Sequence, residues 1–303
     1  MSTVSITPGS HPGAEAMQTA AIKGRSLWDD ARRRLFRNKA AVSAMIVLAL
    51  LVLTAVVGPH LAPFPYYEIN KHDVWVPPLT HGHLLGTDAL GRDLLSRLLT
   101  GLGVSLAVGA VATAVSLIIG VAWGATAGYV GGRTDEVMMR IVDVLYSLPF
   151  IFFVIILMVT FGRNFILMFV AIGAVEWLTM ARIVRGQTLS LKQKEFIEAA
   201  RAQGQSTGRI ISRHIVPNLL GPVVVYVTLT IPAVILTESF LSFLGMGVQE
   251  PRTSLGTLIS QGARDMELAP WLLIFPSVVM VVTLASFNFI GDGLRDAIDP
   301  KDR

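Results

Sequence analysis

Two carboxylates stand in surroundings that disfavour charge: Glu176 within "FILMFVAIGAVEWLTMAR" and Glu238 within "VILTESFLSFLG". An ionisable group in a long apolar stretch can relay protons, face a charged ligand in a pathway, or pin helices through hydrogen bonds. Both glutamates are therefore candidate pathway residues, with an interhelical hydrogen bond as the structural alternative. Asp143, near the polar end of its stretch and close to Arg140, reads as structural. His81 and His83 flank a glycine, but two histidines do not make a metal site, and both are expected at the surface. The chain contains no cysteine and no Gly-Lys dipeptide, so thiolate chemistry and a nucleotide-binding P-loop are both excluded. No base, nucleophile or metal set clusters within the apolar stretches. No catalytic residue, cofactor or metal is assigned to this chain, and no nucleic-acid partner is expected.

The elements around these residues belong in a lipid bilayer. Of 303 residues, 52% are hydrophobic and 15% charged, against roughly 25% charged in soluble domains. Six stretches are long enough to span: about 41–62, 104–130, 139–161, 165–183, 221–245 and 270–291. None alternates with the period of a barrel strand, so the expected fold class is an all-α membrane protein with six transmembrane helices. Only "FGRN" (Phe161 to Asn164) separates the third and fourth, which suits a tight hairpin. With the N-terminus inside, 19 of the 25 Lys and Arg residues fall on the cytoplasmic side, so both termini are expected there. The chain then divides into a cytoplasmic tail (1–40), a first span with its outer loop (41–103) and a core (104–303). The first 38 residues lack the apolar core and cleavage site of a secretory signal and read as a tail before a retained helix.

Within the second span Ala112, Ser116, Gly120, Gly124 and Gly128 recur every four residues, a small-residue face that lets another helix backbone approach. Pro149, Pro232 and Pro276 predict bends in or near spans. In the outer loop, "RDLLSRLL" carries leucines at helical spacing and reads as an amphipathic segment on the membrane. Thr87–Arg97 and Gly247–Arg264 are candidate contact surfaces for an external partner, with that membrane-lying reading preferred for the first.

Between the fourth and fifth spans lies a polar insert, residues 184–220, containing "EFIEAARAQGQSTGRIISRHIVPNLLG". Glu195 to Ala202 predicts a short helix whose Lys194–Glu198 and Glu198–Arg201 spacings permit surface ion pairs. Ala199 and Ala200 offer a small, close-approach face. Gly204 ends the helix. Ser206 or Thr207 caps a second one, running to His214 and stopped by Pro217. A helix–glycine–helix elbow at a membrane surface can seat in a groove on a soluble partner. A mere connector would need only a few residues.

The "EAARAQG…RHIVPN" pattern, with Pro217 thirteen residues after Gly204, resembles the EAA loop of ATP-binding-cassette importer permeases. The general pattern prefers Ile and Leu where this chain has His214 and Val216, and "RHIVPN" looks like the peptide-importer branch. "GTDALGRDLLSRLL", "GGRTDEVMMRIVDVLYSLPF", "ESFLSFLGMGVQEP" and "FNFIGDGLRDAIDPKDR" extend the resemblance to the C-type permease subunit of bacterial oligopeptide importers. The resemblance implies a type I importer permease fold in the cytoplasmic membrane. It implies a second, homologous permease and two ATPases that bind ATP and Mg, with an extracytoplasmic peptide-binding protein delivering cargo. It further implies that Glu198 meets a basic group on an ATPase while Ala199, Ala200 and Gly204 allow close seating, with Arg201 in the same ATPase-coupling set. A dipeptide, nickel or opine importer is the alternative within the class. A proton-driven secondary transporter using Glu176 and Glu238 is the alternative outside it, though no internal repeat is evident.

Overall fold

A computed structural model describes residues 27–161 and 165–298. The proposed tail up to residue 26, the "GRN" part of the hairpin and the last five residues lie outside the described residues. Within them the chain is helical, with turns and two isolated bridges in place of a sheet. In chain order the helices are α1 (Leu27–Arg37), α2 (Lys39–Leu61), α3 (Leu94–Val130), α4 (Gly132–Ser147), α5 (Phe150–Phe161) and α6 (Phe165–Leu191). They continue with α7 (Glu195–Ala202), α8 (Thr207–Ile210), a π-helical turn (Ile211–Ile215), α9 (Val216–Phe243), α10 (Leu255–Arg264) and α11 (Trp271–Ile298).

Local signals set the main boundaries. Asn38 caps α2, its Oδ1 accepting from the amides of Ala40 (3.1 Å) and Ala41 (3.2 Å). Asp93 caps α3, accepting from the Ser96 amide at 2.8 Å. At 23 residues α2 is about 34 Å long, enough to cross a hydrocarbon core of about 30 Å. Only 17% of its most apolar window is buried, and Leu50, Leu53 and Val56 project outward. Such a surface suits lipid. Among the described residues four helical stretches are long and apolar enough to span: α2, α3, α11 and the continuous run Thr207–Phe243.

The expected third span is not one helix. Pro149 holds Leu148 in an extended conformation (ψ 131°), dividing the stretch into α4 and α5. α5 has 12 residues, about 18 Å, too short to cross alone. α4 carries Arg133, Asp135, Glu136, Arg140 and Asp143. The expected fourth span is α6, which runs on to Leu191. Pro217 does not stop the second helix of the polar insert. It occupies the first turn of α9, where a missing N–H is tolerated, and the π turn joins α8 to α9 without a break. Asn218 Nδ2 donates to the His214 carbonyl at 2.6 Å within that join.

The small-residue face of α3 packs on α6, the most extensive helix pairing among the described residues. A methyl group added at Gly120 would lie 2.6 Å from the Met180 side chain, and one at Gly128 would lie 2.9 Å from the Arg185 carbonyl oxygen. Ala112 and Ser116 are fully buried on the same face. α9 and α11 pack together, α9 also lies against α3, and α2 flanks α11 and α3.

The two ends of this bundle differ. At one end α7, α8 and the start of α9 close over the ends of α3 and α6. At the other, the segment between α2 and α3 folds onto α10 and the start of α11. There Asp88 accepts from Arg92 Nε (2.7 Å) and from Arg97 (2.6 Å), while Arg97 also donates to Gln261 (2.9 Å) and Arg92 to Glu250 (3.0 Å). "RDLLSRLL" therefore does not lie on a membrane surface. It forms the first turns of α3, with Leu94, Arg97 and Leu98 buried against α10 and α11. Thr87, Asp88 and Arg92 are buried too, so most of Thr87–Arg97 is not a contact surface. His83 is likewise interior, stacked on Phe64 and paired with Asp93 at 2.9 Å, whereas His81 is exposed beside Asp73.

Candidate functional site

The polar insert forms a folded elbow held from beneath by its own chain. α7 has two faces because its buried residues lie three apart: Ile197 (0% exposed) and Ala200 (3%) join Tyr129, Ile210, Ile215 and Leu219 in one apolar cluster. Glu195, Glu198, Ala199 and Ala202 fall on the opposite face and are exposed, flanked by Phe196 at 43% exposure. The two alanines thus separate: Ala199 is presented outward, and Ala200 is unavailable to a partner.

Gly204 is required by backbone geometry. Its φ of +74° is costly for residues with a Cβ. With the Gly204 amide donating to Arg201 O (2.9 Å) and the Gln205 amide to Ala200 O (3.2 Å), it completes a Schellman turn. No other described residue crowds the position. Across the turn His214 Nε2 donates to Gln205 Oε1 at 3.0 Å, so a residue that departs from the general loop pattern fastens the two arms.

Arg201 turns away from Glu198. The surface ion pairs that the spacing permits do not form; instead Arg201 Nε donates to the Tyr129 hydroxyl at 3.1 Å, with its guanidinium 5.0 Å from the ring centroid. Lys192 approaches the same ring at 5.8 Å. Tyr129, in the last turns of α3, thus adds a polar contact between elbow and spanning helix to the apolar ones. Sequence separation of 72 residues concealed it. Nearby, Arg185 on α6 donates two hydrogen bonds to Asp135 on α4 (2.5 and 2.6 Å), and Arg182 pairs with Asp143 at 2.8 Å while resting 4.2 Å from the Tyr146 ring. Asp143 is therefore structural, with Arg182 rather than Arg140 as its partner.

The two glutamates have opposite surroundings. Glu238 is fully buried and accepts from Ser242 (2.7 Å), Ser254 (2.7 Å) and Ser105 (3.4 Å), which also accepts from the Leu255 amide. It knots α9, the start of α10 and α3 together, as the structural alternative required. Glu176 on α6 borders a cavity of about 570 Å3 between α6, α9 and the α4–α5 break. No described residue donates a hydrogen bond to it or forms an ion pair with it.

The described residues thus form a bundle of long apolar helices with a polar elbow resting on the ends of the spanning helices. Its fold is shared with a chain of the MetNI methionine ABC transporter in an inward-facing conformation, at a TM-score of 0.57 and 21% identity over 67% of this chain and 96% of that one. The chain belongs to the family described as binding-protein-dependent transport system inner membrane component, whose model matches residues 116–303. A second model, the N-terminal TM domain of oligopeptide transport permease C, matches residues 26–78. The oligopeptide transport system permease protein OppC of Haemophilus influenzae is 54% identical over 96% of this chain and 94% of its own length. OppC of Escherichia coli K12 is 56% identical over 93% and 94%. The dipeptide permease DppC of Bacillus subtilis is 43% identical over 92% and 87%.

Proposed function

We propose that this chain is the permease subunit of an ATP-driven importer that moves oligopeptides inward across the cytoplasmic membrane. The observation that carries the reading is the elbow: an exposed acidic face (Glu195, Glu198) with Ala199, on a helix locked to α3 and α9 through Ile197, Ala200 and Arg201. Lacking a P-loop, the chain depends on partner subunits for nucleotide chemistry. Two ATPases would bind ATP and Mg, seat the outward face of α7 and meet Glu198 with a basic group. A second, homologous permease would complete the pathway, and an extracytoplasmic binding protein would deliver the peptide. Six spans follow if α4 and α5 cross together and α6 crosses alone, with both termini and the elbow cytoplasmic. The tail, first span with outer loop, and core then keep the divisions 1–40, 41–103 and 104–303.

Arg201 and Ala200 belong to the elbow's attachment, and Glu198, Ala199 and Gly204 to its outward presentation. Glu176 lies on the pathway, and Glu238 pins helices. Relatives named for oligopeptide transport at 54–56% identity favour that cargo over dipeptides. In B. subtilis, however, an OppC and a DppC are equally similar to this chain at 43%, so identity at that level does not separate the two.

The test is purification of the chain with its co-assembling subunits, identification by mass, and uptake of defined peptides in proteoliposomes. Two ATPases, a second permease and ATP-dependent uptake, lost on Glu198→Ala with the complex still assembled, are the expected results. Uptake that follows a proton gradient without ATPases would replace this reading with a secondary transporter.

A further inference from the structure

We propose that Glu176 and the carboxyl end of α4 form a site for a primary ammonium group, the charged amino terminus of a peptide in transit. The inference rests on the peptide-permease reading and assigns one ligand group to one cavity. Three independent features converge there. First, the Glu176 carboxylate borders the cavity without a hydrogen-bonding or ion-pairing partner among the described residues, whereas Glu238 on α9 is saturated by serines. A carboxylate left unsatisfied in an apolar stretch is costly unless a ligand or water meets it.

Second, α4 ends at this cavity. The chain leaves the helix at Leu148, whose backbone is extended, and Leu145, Tyr146 and Leu148 line the space. The last carbonyls of a helix carry partial negative charge and attract cations, the more so where a spanning helix is broken inside a membrane protein. Third, aromatic side chains of Tyr146, Phe153 and Trp177 form part of the wall, and aromatic faces favour cations. Arg182, over the Tyr146 ring, is the opposing positive charge, and its pairing with Asp143 at 2.8 Å offsets it. It also stands six residues from Glu176, about 9 Å along the helix. At about 570 Å3 the cavity falls in the range of small-ligand sites, roughly 300–1,000 Å3. A carboxylate that recognises only the ammonium leaves the peptide's side chains unread, which suits a carrier of varied sequences.

The experiment uses the assembled complex in nanodiscs, without the binding protein, and measures equilibrium binding of three peptides: tri-alanine, N-acetyl-tri-alanine and N-acetyl-Ala-Lys-Ala. Tri-alanine should bind about tenfold or more tightly than its acetylated form, the scale of one charged hydrogen bond. Glu176→Gln should erase that difference while leaving the acetylated peptide unchanged. Recovery of affinity by N-acetyl-Ala-Lys-Ala would show that any primary ammonium suffices, and failure to recover would assign the site to the amino terminus. Equal binding of the free and acetylated peptides by the unaltered complex, or no binding, overturns the proposal without any variant. If Glu176→Gln does not assemble, Glu176→Asp should keep part of the preference. ATP-driven uptake of tri-alanine is measured separately, with the same complex in proteoliposomes supplied with the binding protein: uptake there without an ammonium preference in the nanodisc binding sinks this inference alone, and no ATP-driven uptake sinks the permease reading beneath it.

Discussion

Replacing Tyr129 by Phe removes one atom from the joint between elbow and spanning helix. The hydroxyl that accepts from Arg201 Nε at 3.1 Å is lost, while the ring stays in its apolar cluster with Arg201 and Lys192 still near its face. A hydrogen bond to a charged group contributes roughly 1.5–3 kcal/mol when buried. Arg201 is exposed, and solvent screening reduces that to about 1 kcal/mol at most. One kcal/mol shifts an equilibrium about fivefold, so the elbow spends correspondingly more time detached from α3 during each nucleotide cycle. The assay is peptide accumulated per ATP hydrolysed in proteoliposomes. ATP hydrolysis should stay within about twofold of wild type while the ratio falls about two- to fivefold. Arg201→Lys, which keeps the charge but not the guanidinium geometry, should act in the same direction. Tyr129→Ala should do more, because truncating a buried aromatic costs about 3–5 kcal/mol and endangers assembly. An assembled Tyr129→Phe complex with wild-type stoichiometry would refute the joint.

Three further outcomes follow from packing. Gly124→Leu should abolish assembly, since any side chain there meets the backbone of Ala181 and Arg185 on α6, whereas Gly186→Ala, facing open space, should leave yield and thermal stability unchanged. Glu238→Gln should retain acceptors for Ser242 and Ser254 and assemble, while Glu238→Leu should lower thermal stability by stranding buried hydroxyls at about 1–3 kcal/mol each. If Glu238 only pins helices, transport per assembled Glu238→Gln complex will match wild type. Asp88→Asn leaves the fully buried Arg97 without its anionic partner and should cost about 3–5 kcal/mol, read as loss of assembled complex.

The sequence already showed what depends on local pattern. Apolar length marked α2, α3, α9 and α11, and the four-residue recurrence of small residues on α3 marked the face that α6 occupies. Gly204 announced the end of α7. Features that depend on distant partners were hidden. Whether Ala199 or Ala200 faced inward depended on where Tyr129 and Ile210 would lie. The partners of Glu238 come from three different helices or their caps, one of them 133 residues away. The division of α4 from α5 had a local signal, Pro149, but the apolar run on either side outweighed it and gave a continuous span. "RDLLSRLL" had the periodicity of a surface helix because its leucines line a real apolar face. Burying Arg97 among them requires Asp88 and Gln261, which periodicity does not report.

The most direct measurement uses the absence of native cysteines in this chain. A cysteine placed at Ala199 or at Ala200, tagged with a benzophenone maleimide and irradiated within the assembled transporter, reports what each face of α7 touches. The expected result is an adduct between this chain and an ATPase subunit from Ala199→Cys, and no labelling at Ala200→Cys. An Ala199→Cys variant that takes up the tag yet captures no neighbouring polypeptide would contradict the account.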